Sequence, residues 1–168
     1  MASILNVDKV RATGSTTDGV LIDSSGRVTL GVPVYVKCTG ASTQLTTTGS
    51  YDTLDMSSLT FQSGGFSLSS DKVTVPVAGA YRYSFAVAKN FTTDRRAMGV
   101  RIQKNDSGGV ESYDHYTMKH ISGTTHGMMT GGGIIECSAN DTVRVQVREY
   151  DSNNGDFSLT EFSMDLIG

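Results

Sequence analysis

No stretch of the 168-residue chain approaches the roughly 20 consecutive apolar residues that a helix needs to cross a bilayer, so membrane insertion is not expected. Basic runs are missing too. The densest pair is Arg95–Arg96, and 14 Lys and Arg against 17 Asp and Glu leave a formal net charge of −3. That balance supplies no field for gripping nucleic acid. Cysteine is scarce, with only Cys38 and Cys137, too few for a disulfide framework. Neither sits in a C-x-x-C unit or near a His pair, which excludes a zinc site and reads both as small buried hydrophobes. Leucine is outnumbered by valine, 9 to 16, which argues against a helical bundle. The first residues, 1–8, lack both the basic and the apolar segment of a signal peptide, so the chain is expected to be made and used without Sec export.

What the chain does contain is turn chemistry. Glycine (19), serine (20) and threonine (20) together make about a third of it. Apolar residues recur throughout and the net charge is small, which excludes intrinsic disorder. The length suits one domain of ordinary size. An all-β fold with many polar turns is predicted.

Two regions differ in pattern. In residues 1–30 short apolar pieces (Ile4-Leu5, Val7, Val10, Val20-Leu21-Ile22, Val28-Thr29-Leu30) are separated by residues 13–19 and 23–26, rich in Gly, Ser, Thr and Asp. Strands so short cannot enclose a core within one chain. The segment reads as an attachment or oligomerisation arm, with Ile4, Leu5, Val7, Val10, Val20 and Ile22 as its candidate contact residues. Residues 31–168 read as one β-sandwich. Val32, Val34 and Val36 alternate with Pro33, Tyr35 and Lys37; residues 39–50 form a loop; weaker strands lie near Leu59–Phe61, Phe66–Leu68 and Lys72–Val75. The clearest strand covers 80–88, with Tyr81, Tyr83, Phe85 and Val87 on one face and Arg82, Ser84 and Ala86 on the other. Met98, Val100 and Ile102 alternate up to a hairpin turn at 104–109. Strands follow at 113–121, 126–136 and 142–150, the last with Val143, Val145 and Val147 against Arg144, Gln146 and Arg148. Phe157 to Ile167 closes the chain. Roughly eight to ten strands and no amphipathic helix are the mark of a sandwich or jelly roll.

Several pieces, taken in order, resemble the C1q/TNF-type jelly-roll domain. Asp71-Lys72-Val73-Thr74-Val75-Pro76-Val77-Ala78-Gly79-Ala80-Tyr81-Arg82-Tyr83-Ser84-Phe85 is similar to that family's apolar-Pro-x-x-Gly-x-Tyr-x-Phe segment, and Val100 to Asn105 to its strand ending in a Lys-Asn turn. Ile134 to Val143 resembles its apolar-x-x-x-Gly-Asp-x-Val element, with Asn140 in place of glycine, a substitution that still suits a left-handed residue. Phe157 to Ile167 resembles its closing strand, although Asp165 stands where an apolar residue is common. The resemblance covers roughly 60–168 and implies a jelly roll that forms a homotrimer and binds partners without catalysis. Ile4 to Val10 followed by Gly19 to Val28 resembles the N-termini of bacteriophage virion fibre and appendage proteins. Together the two resemblances imply a trimeric phage virion protein, assembled in the host cytoplasm and joined to other virion proteins through residues 1–30. Its expected role is a capsid decoration protein or short head fibre. A tail-fibre tip that recognises a host surface glycan is the alternative, and a C1q-like secreted lectin the second.

Candidate chemistry points away from an enzyme. His115, His120 and His126 are spaced five and six apart, and odd spacing on a strand puts His115 and His120 on opposite faces. A ring of one His per chain about a three-fold axis is the functional reading, and ordinary polar histidines the plain one. The oxygen-rich loop 151–156 invites a calcium reading, but Phe162 occupies the place of the bidentate Glu and the same residues build any β-turn. Gly131-Gly132-Gly133 lacks the Gly-Lys-Ser/Thr ending of a phosphate loop; a bulge or a close approach of neighbouring chains is expected there. There is no Gly-x-Ser-x-Gly elbow and no Cys flanked by His. No metal and no cofactor are expected. Tyr81, Tyr83, Phe85, Val143, Phe157 and Phe162 are assigned to the core, with a share in trimer packing. Arg95, Arg96, His115 and Tyr116 form a candidate ligand loop.

Overall fold

A computed structural model describes residues 9–10, 20–22, 28–30, 34–44, 49–90, 96–106, 109–118, 126–149 and 156–167. The chain divides into two compact units, Met1–Pro33 and Val34–Gly168.

The first unit holds β1 (Lys9–Val10), β2 (Val20–Ile22) and β3 (Val28–Leu30), an antiparallel sheet in the order β1-β2-β3. Its register aligns Val10, Val20 and Leu30 across the strands and sets Ile22 opposite Val28. By strand alternation these five aliphatic positions share one face of the sheet. Ile4, Leu5 and Val7 lie outside the described residues.

The second unit is a sandwich with no helix among the described residues. Its early strands are short: β4 (Tyr35–Thr39), β5 (Ser42–Gln44), β6 (Tyr51–Thr53), β7 (Ser58–Ser63), β8 (Ser67–Ser69) and β9 (Lys72–Thr74). The later ones are long: β10 (Gly79–Asn90), β11 (Arg96–Lys104), β12 (Gly109–Met118), β13 (His126–Cys137), β14 (Thr142–Glu149) and β15 (Asp156–Leu166). One sheet runs β13-β10-β15-β4-β7, with β5 also on β15; the other runs β12-β11-β14-β9-β8, with β6 also on β14. Every pairing is antiparallel, and apart from the β8–β9 and β11–β12 hairpins the neighbours are not consecutive in sequence, the connectivity of a jelly roll. Two strands correct the expected loop and strand count. β5 and β6 fall in Thr/Ser-rich sequence without apolar alternation, and backbone pairing to β15 and β14 holds them as strands.

The core lies between the sheets. Tyr81, Tyr83, Phe85 and Val87 from β10 meet Val143, Val145 and Val147 from β14, with Val36, Cys38, Val100, Ile102, Phe157 and Phe162 around them, all 3% exposed or less. Each large side chain buried this way contributes roughly 1.5–3 kcal/mol. The buried Tyr81 hydroxyl donates to the Val77 carbonyl oxygen at 2.8 Å, so the residue carries no unmet polar group.

Phe157 and Phe162 are five residues apart, a spacing that puts them on opposite faces of a regular strand. A bulge resolves the conflict. Val87 pairs with Leu159 and Ala86 with Glu161, which leaves Thr160 as the extra residue. Its hydroxyl donates to the Ala86 carbonyl at 2.8 Å. Phe157 and Leu159 before the bulge and Phe162 and Met164 after it all reach the core.

The bulge expected at Gly131-Gly132-Gly133 is not formed, since β10 and β13 pair without a register shift through the run. Within the chain the glycines make room. Gly131 pairs with Phe85 and Gly133 with Tyr83, and a Cβ on Gly131 would sit 2.5 Å from Phe85 Cζ. On the other face, a Cβ on Gly132 would sit 2.6 Å from the Tyr83 carbonyl oxygen.

Candidate interaction surface

Alternation that sends the aromatic residues of β10 inward sends Arg82, Ser84 and Ala86 outward. In register with them on β15 are Asp165, Ser163 and Glu161. Arg82 binds Asp165 through two hydrogen bonds, Nε to Oδ1 at 3.1 Å and an Nη2 contact to Oδ2 at 2.8 Å. The Ser84 and Ser163 hydroxyls lie 2.8 Å apart, and Lys37 Nζ on β4 donates to Glu161 at 2.7 Å. The middle strip of this outer face is thus polar, and its charges are matched within the chain. Asp165, which departs from the apolar residue common in the resembled family, is half of the bidentate pair.

Apolar side chains flank that strip on both sides. On edge strand β7, Phe61 is 56% exposed and packs against Tyr35 with ring centroids 5.4 Å apart. On the opposite edge strand, β13, Met128 and Ile134 are 58% and 59% exposed.

The outer face of the second sheet is built differently. Arg101 faces Gln146 and Gln103 faces Arg144 across β11 and β14. Arg101 Nε donates to Gln146 Oε1 at 2.7 Å and Arg144 Nε to Gln103 Oε1 at 2.5 Å. Tyr51 lies between two guanidinium groups, with Arg101 Cζ 4.1 Å and Arg148 Cζ 4.6 Å from its ring centroid. Asp106 closes one end of the ladder, bound to Lys72 at 2.5 Å and Arg144 at 3.0 Å. The hydrogen bond from Lys72, with Arg144 beside it, pulls the Asp106 carboxyl below its ordinary value.

Two turns that carry the family resemblance dock on each other. Asn105 and Asp106 both have left-handed backbone (φ +54° and +56°), as has Asn140 (φ +70°). Asn105 Nδ2 donates to Asp141 Oδ1 at 2.6 Å, and Asn105 Oδ1 accepts the Thr142 backbone N–H at 2.8 Å. Asp141 also accepts the Ser138 N–H at 2.8 Å. The Asn105 bond, then the Ser138 bond, holds its carboxyl below the ordinary carboxylate value. Asn140 adopts there the left-handed backbone that glycine and asparagine tolerate best.

The residues assigned from sequence fall as follows. Tyr81, Tyr83, Phe85, Val143, Phe157 and Phe162 are all sealed between the sheets, in the core to which the sequence assigned them. Arg96 begins β11, and His115 and Tyr116 lie within strand β12 rather than a loop. Met98 pairs with His115 and Arg96 with Met118, which brings these segments to one end of the hairpin. Arg95, His120 and residues 151–155 lie outside the described residues. Among the described residues no group of three or more His, Cys, Asp or Glu is arranged to hold a metal ion. The exposed apolar edges carried one sequence signal, Ile134 in phase with Thr130 and Glu136 on β13; Phe61 alternates with Leu59 as a core residue would.

No family model and no curated protein matches the sequence. Solved structures do. The crystal structure of murine APRIL at pH 5.0 superposes with a TM-score of 0.59 at 14% identity, over 80% of this chain and 99% of that one. Murine APRIL at pH 8.0 gives 0.58 at 11% identity, over 81% and 99%. The likeness establishes the fold of the chain as a TNF-like jelly roll.

Proposed function

We propose that the protein is a non-enzymatic structural component of a bacteriophage virion: a homotrimeric capsid decoration protein or short head fibre. Residues 1–30 attach it to other virion proteins and the jelly roll is displayed outward. The observation that carries the reading is the arm. Its sequence resembles phage appendage N-termini, and it forms a unit of its own ahead of the knob. A three-stranded sheet of two- and three-residue strands with five aliphatic positions on one face gains stability only when that face is covered. Copies of the chain and the virion surface supply the cover.

Light scattering on the purified protein tests the trimer: a mass of three chains supports it, and one near 17.9 kDa overturns it. Immunogold labelling of virions tests the location. Gold on the head supports decoration. Gold at the tail selects the second reading, a receptor-binding tip for a host surface glycan, for which Arg96, His115 and Tyr116 at one end of the β11–β12 hairpin are the candidate contacts. Unlabelled particles remove both, and a secreted C1q-like lectin then becomes the reading to pursue.

A further inference from the structure

We infer that the copies join head to tail through the two edges of one sheet, the β7 edge of one copy packing against the β13 edge of the next. This rests on the homotrimer proposed above and names its contact surfaces.

The distribution of apolar side chains carries the inference. Phe61 with Tyr35 stands at one edge of the β13-β10-β15-β4-β7 sheet and Ile134 with Met128 at the other. Between them lie Arg82–Asp165, Ser84–Ser163 and Lys37–Glu161, polar pairs already satisfied in the chain. A two-fold stack of this face on itself would place the polar strip at the centre of the interface and the apolar residues at its rim. That reverses the anatomy of stable interfaces, which have an apolar centre and a polar rim. Joining edge to edge buries apolar against apolar and leaves the strip outside the contact. Two different patches per copy make such a contact heterologous, and a heterologous contact repeated by a three-fold rotation closes into a ring of three.

Register supports the match. Phe61 lies in the row Phe61–Lys37–Ser163–Ser84–Gly132, and Ile134 in the next row, Ser63–Tyr35–Asp165–Arg82–Ile134. The two patches therefore stand at nearly the same level along the strands. Four strand spacings, about 19 Å, separate them within one chain, too far for either to cover the other. Rotation about an axis roughly parallel to the strands brings the level of one onto that of the next.

Thiol cross-linking on the full-length chain tests this. Native Cys38 and Cys137 are buried, so a short bis-maleimide reads only introduced thiols. The double variant Phe61→Cys/Ile134→Cys is expected to form covalent dimers and trimers linked between positions 61 and 134, identified by peptide mass spectrometry. Each single variant is expected to form none. Cross-linked dimers from a single variant would reveal a two-fold contact and overturn the inference. A three-chain mass without any link in the double variant would overturn it while the trimer stands, whereas a one-chain mass would remove both. As a second measurement, Phe61→Glu and Ile134→Glu should each reduce the mass from three chains to one with the β-rich circular dichroism unchanged; a variant that keeps the three-chain mass overturns the contact.

Discussion

Lys89 and Glu149 form an ion pair inside the sandwich, Nζ 2.5 Å from Oε1, with the two side chains 1% and 3% exposed. Lys89 continues the inward phase of Tyr81 to Val87 on one sheet, and Glu149 that of Val143 to Val147 on the other. The pair therefore ties the two layers together. The Lys89 ammonium also stands 4.9 Å from the Phe157 ring centroid, close enough for a cation–π contribution. Removing one partner takes the close counter-ion from a buried charge, a loss that costs roughly 3–5 kcal/mol for buried pairs. Glu149→Gln and Lys89→Met should each lower the urea midpoint accordingly. The double variant Lys89→Met/Glu149→Leu should recover most of that loss, because an apolar replacement of a buried pair is often neutral or stabilising. Equal loss in the single and double variants would show that the pair is not the source.

Gly131 leaves space for Phe85. Its Ala variant would put a Cβ 2.5 Å from the ring edge and force the ring or the strand to shift. Overpacking of that kind costs typically 1–3 kcal/mol. Phe85→Leu loses packing by itself, yet it removes the clash. A double-mutant cycle of Gly131→Ala and Phe85→Leu should therefore show a favourable coupling of about 1 kcal/mol; additive effects would argue against the steric account.

Much of this fold was legible in the sequence because period-two alternation survives in the long strands. Tyr81 to Val87, Val100 to Ile102 and Val143 to Val147 go inward as their spacing predicts. β5 and β6 were not legible. Their residues Ser42–Gln44 and Tyr51–Thr53 are held by pairing to distant strands, and short polar segments carry no periodic trace of that. The same holds for Lys89 and Glu149. A charged residue at an inward position reads as the end of a strand, and only the approach of two strands 60 residues apart reveals the pair. His115 and Tyr116 fall in the strand expected at 113–121, and pairing with β11 places it at Gly109–Met118. Of the candidate surface, the outward polar strip was legible from the alternation, but its apolar flanks were not. Whether Phe61 is an edge residue depends on sheet order, which no local pattern encodes.

The docked turns predict an acid-sensitive contribution to stability. The carboxyls of Asp141 and Asp106 are both held below the ordinary value of 3.8 by hydrogen bonds that favour the charged form. Groups depressed in the folded state contribute stability that is present above the unfolded value and is lost as pH falls through the folded one. Stability should thus be level from pH 7 to about 4 and decline below it. Asp141→Asn should make that decline shallower, and an unchanged slope in urea titrations at pH 2–4 would refute the assignment. Asn105→Gly keeps the left-handed backbone while deleting the side-chain bonds to Asp141 and Thr142, so its loss, about 1–2 kcal/mol at pH 7, reports those bonds together with the added freedom of the unfolded chain.

The two thiols should be inert in the folded protein. Burial pushes Cys38 up to about 12 and Cys137, with Asp141 nearby, up to about 11. Reaction requires the thiolate, which is scarce at pH 8 for such groups. A chromogenic disulfide reagent at pH 8 should titrate no thiol in native protein and two per chain in urea. Prompt reaction of one thiol without denaturant would mean that β4 or the end of β13 opens locally.

Removing residues 2–30 separates the roles of the two units. Among the described residues, every core residue belongs to Val34–Gly168, so the truncated chain keeps that two-sheet core. It should remain folded, with a urea midpoint close to that of the full chain. The apolar edges at Phe61 and Ile134 also remain, so the truncated protein should keep a three-chain mass in light scattering. What it should lose is incorporation into particles, measured by co-sedimentation with virions produced in its presence. Retained incorporation would place the attachment surface on the knob. A truncated chain that sediments as a monomer but still folds would show instead that the aliphatic face of β1–β3 holds the copies together, and would move the assembly contact from the knob to the arm.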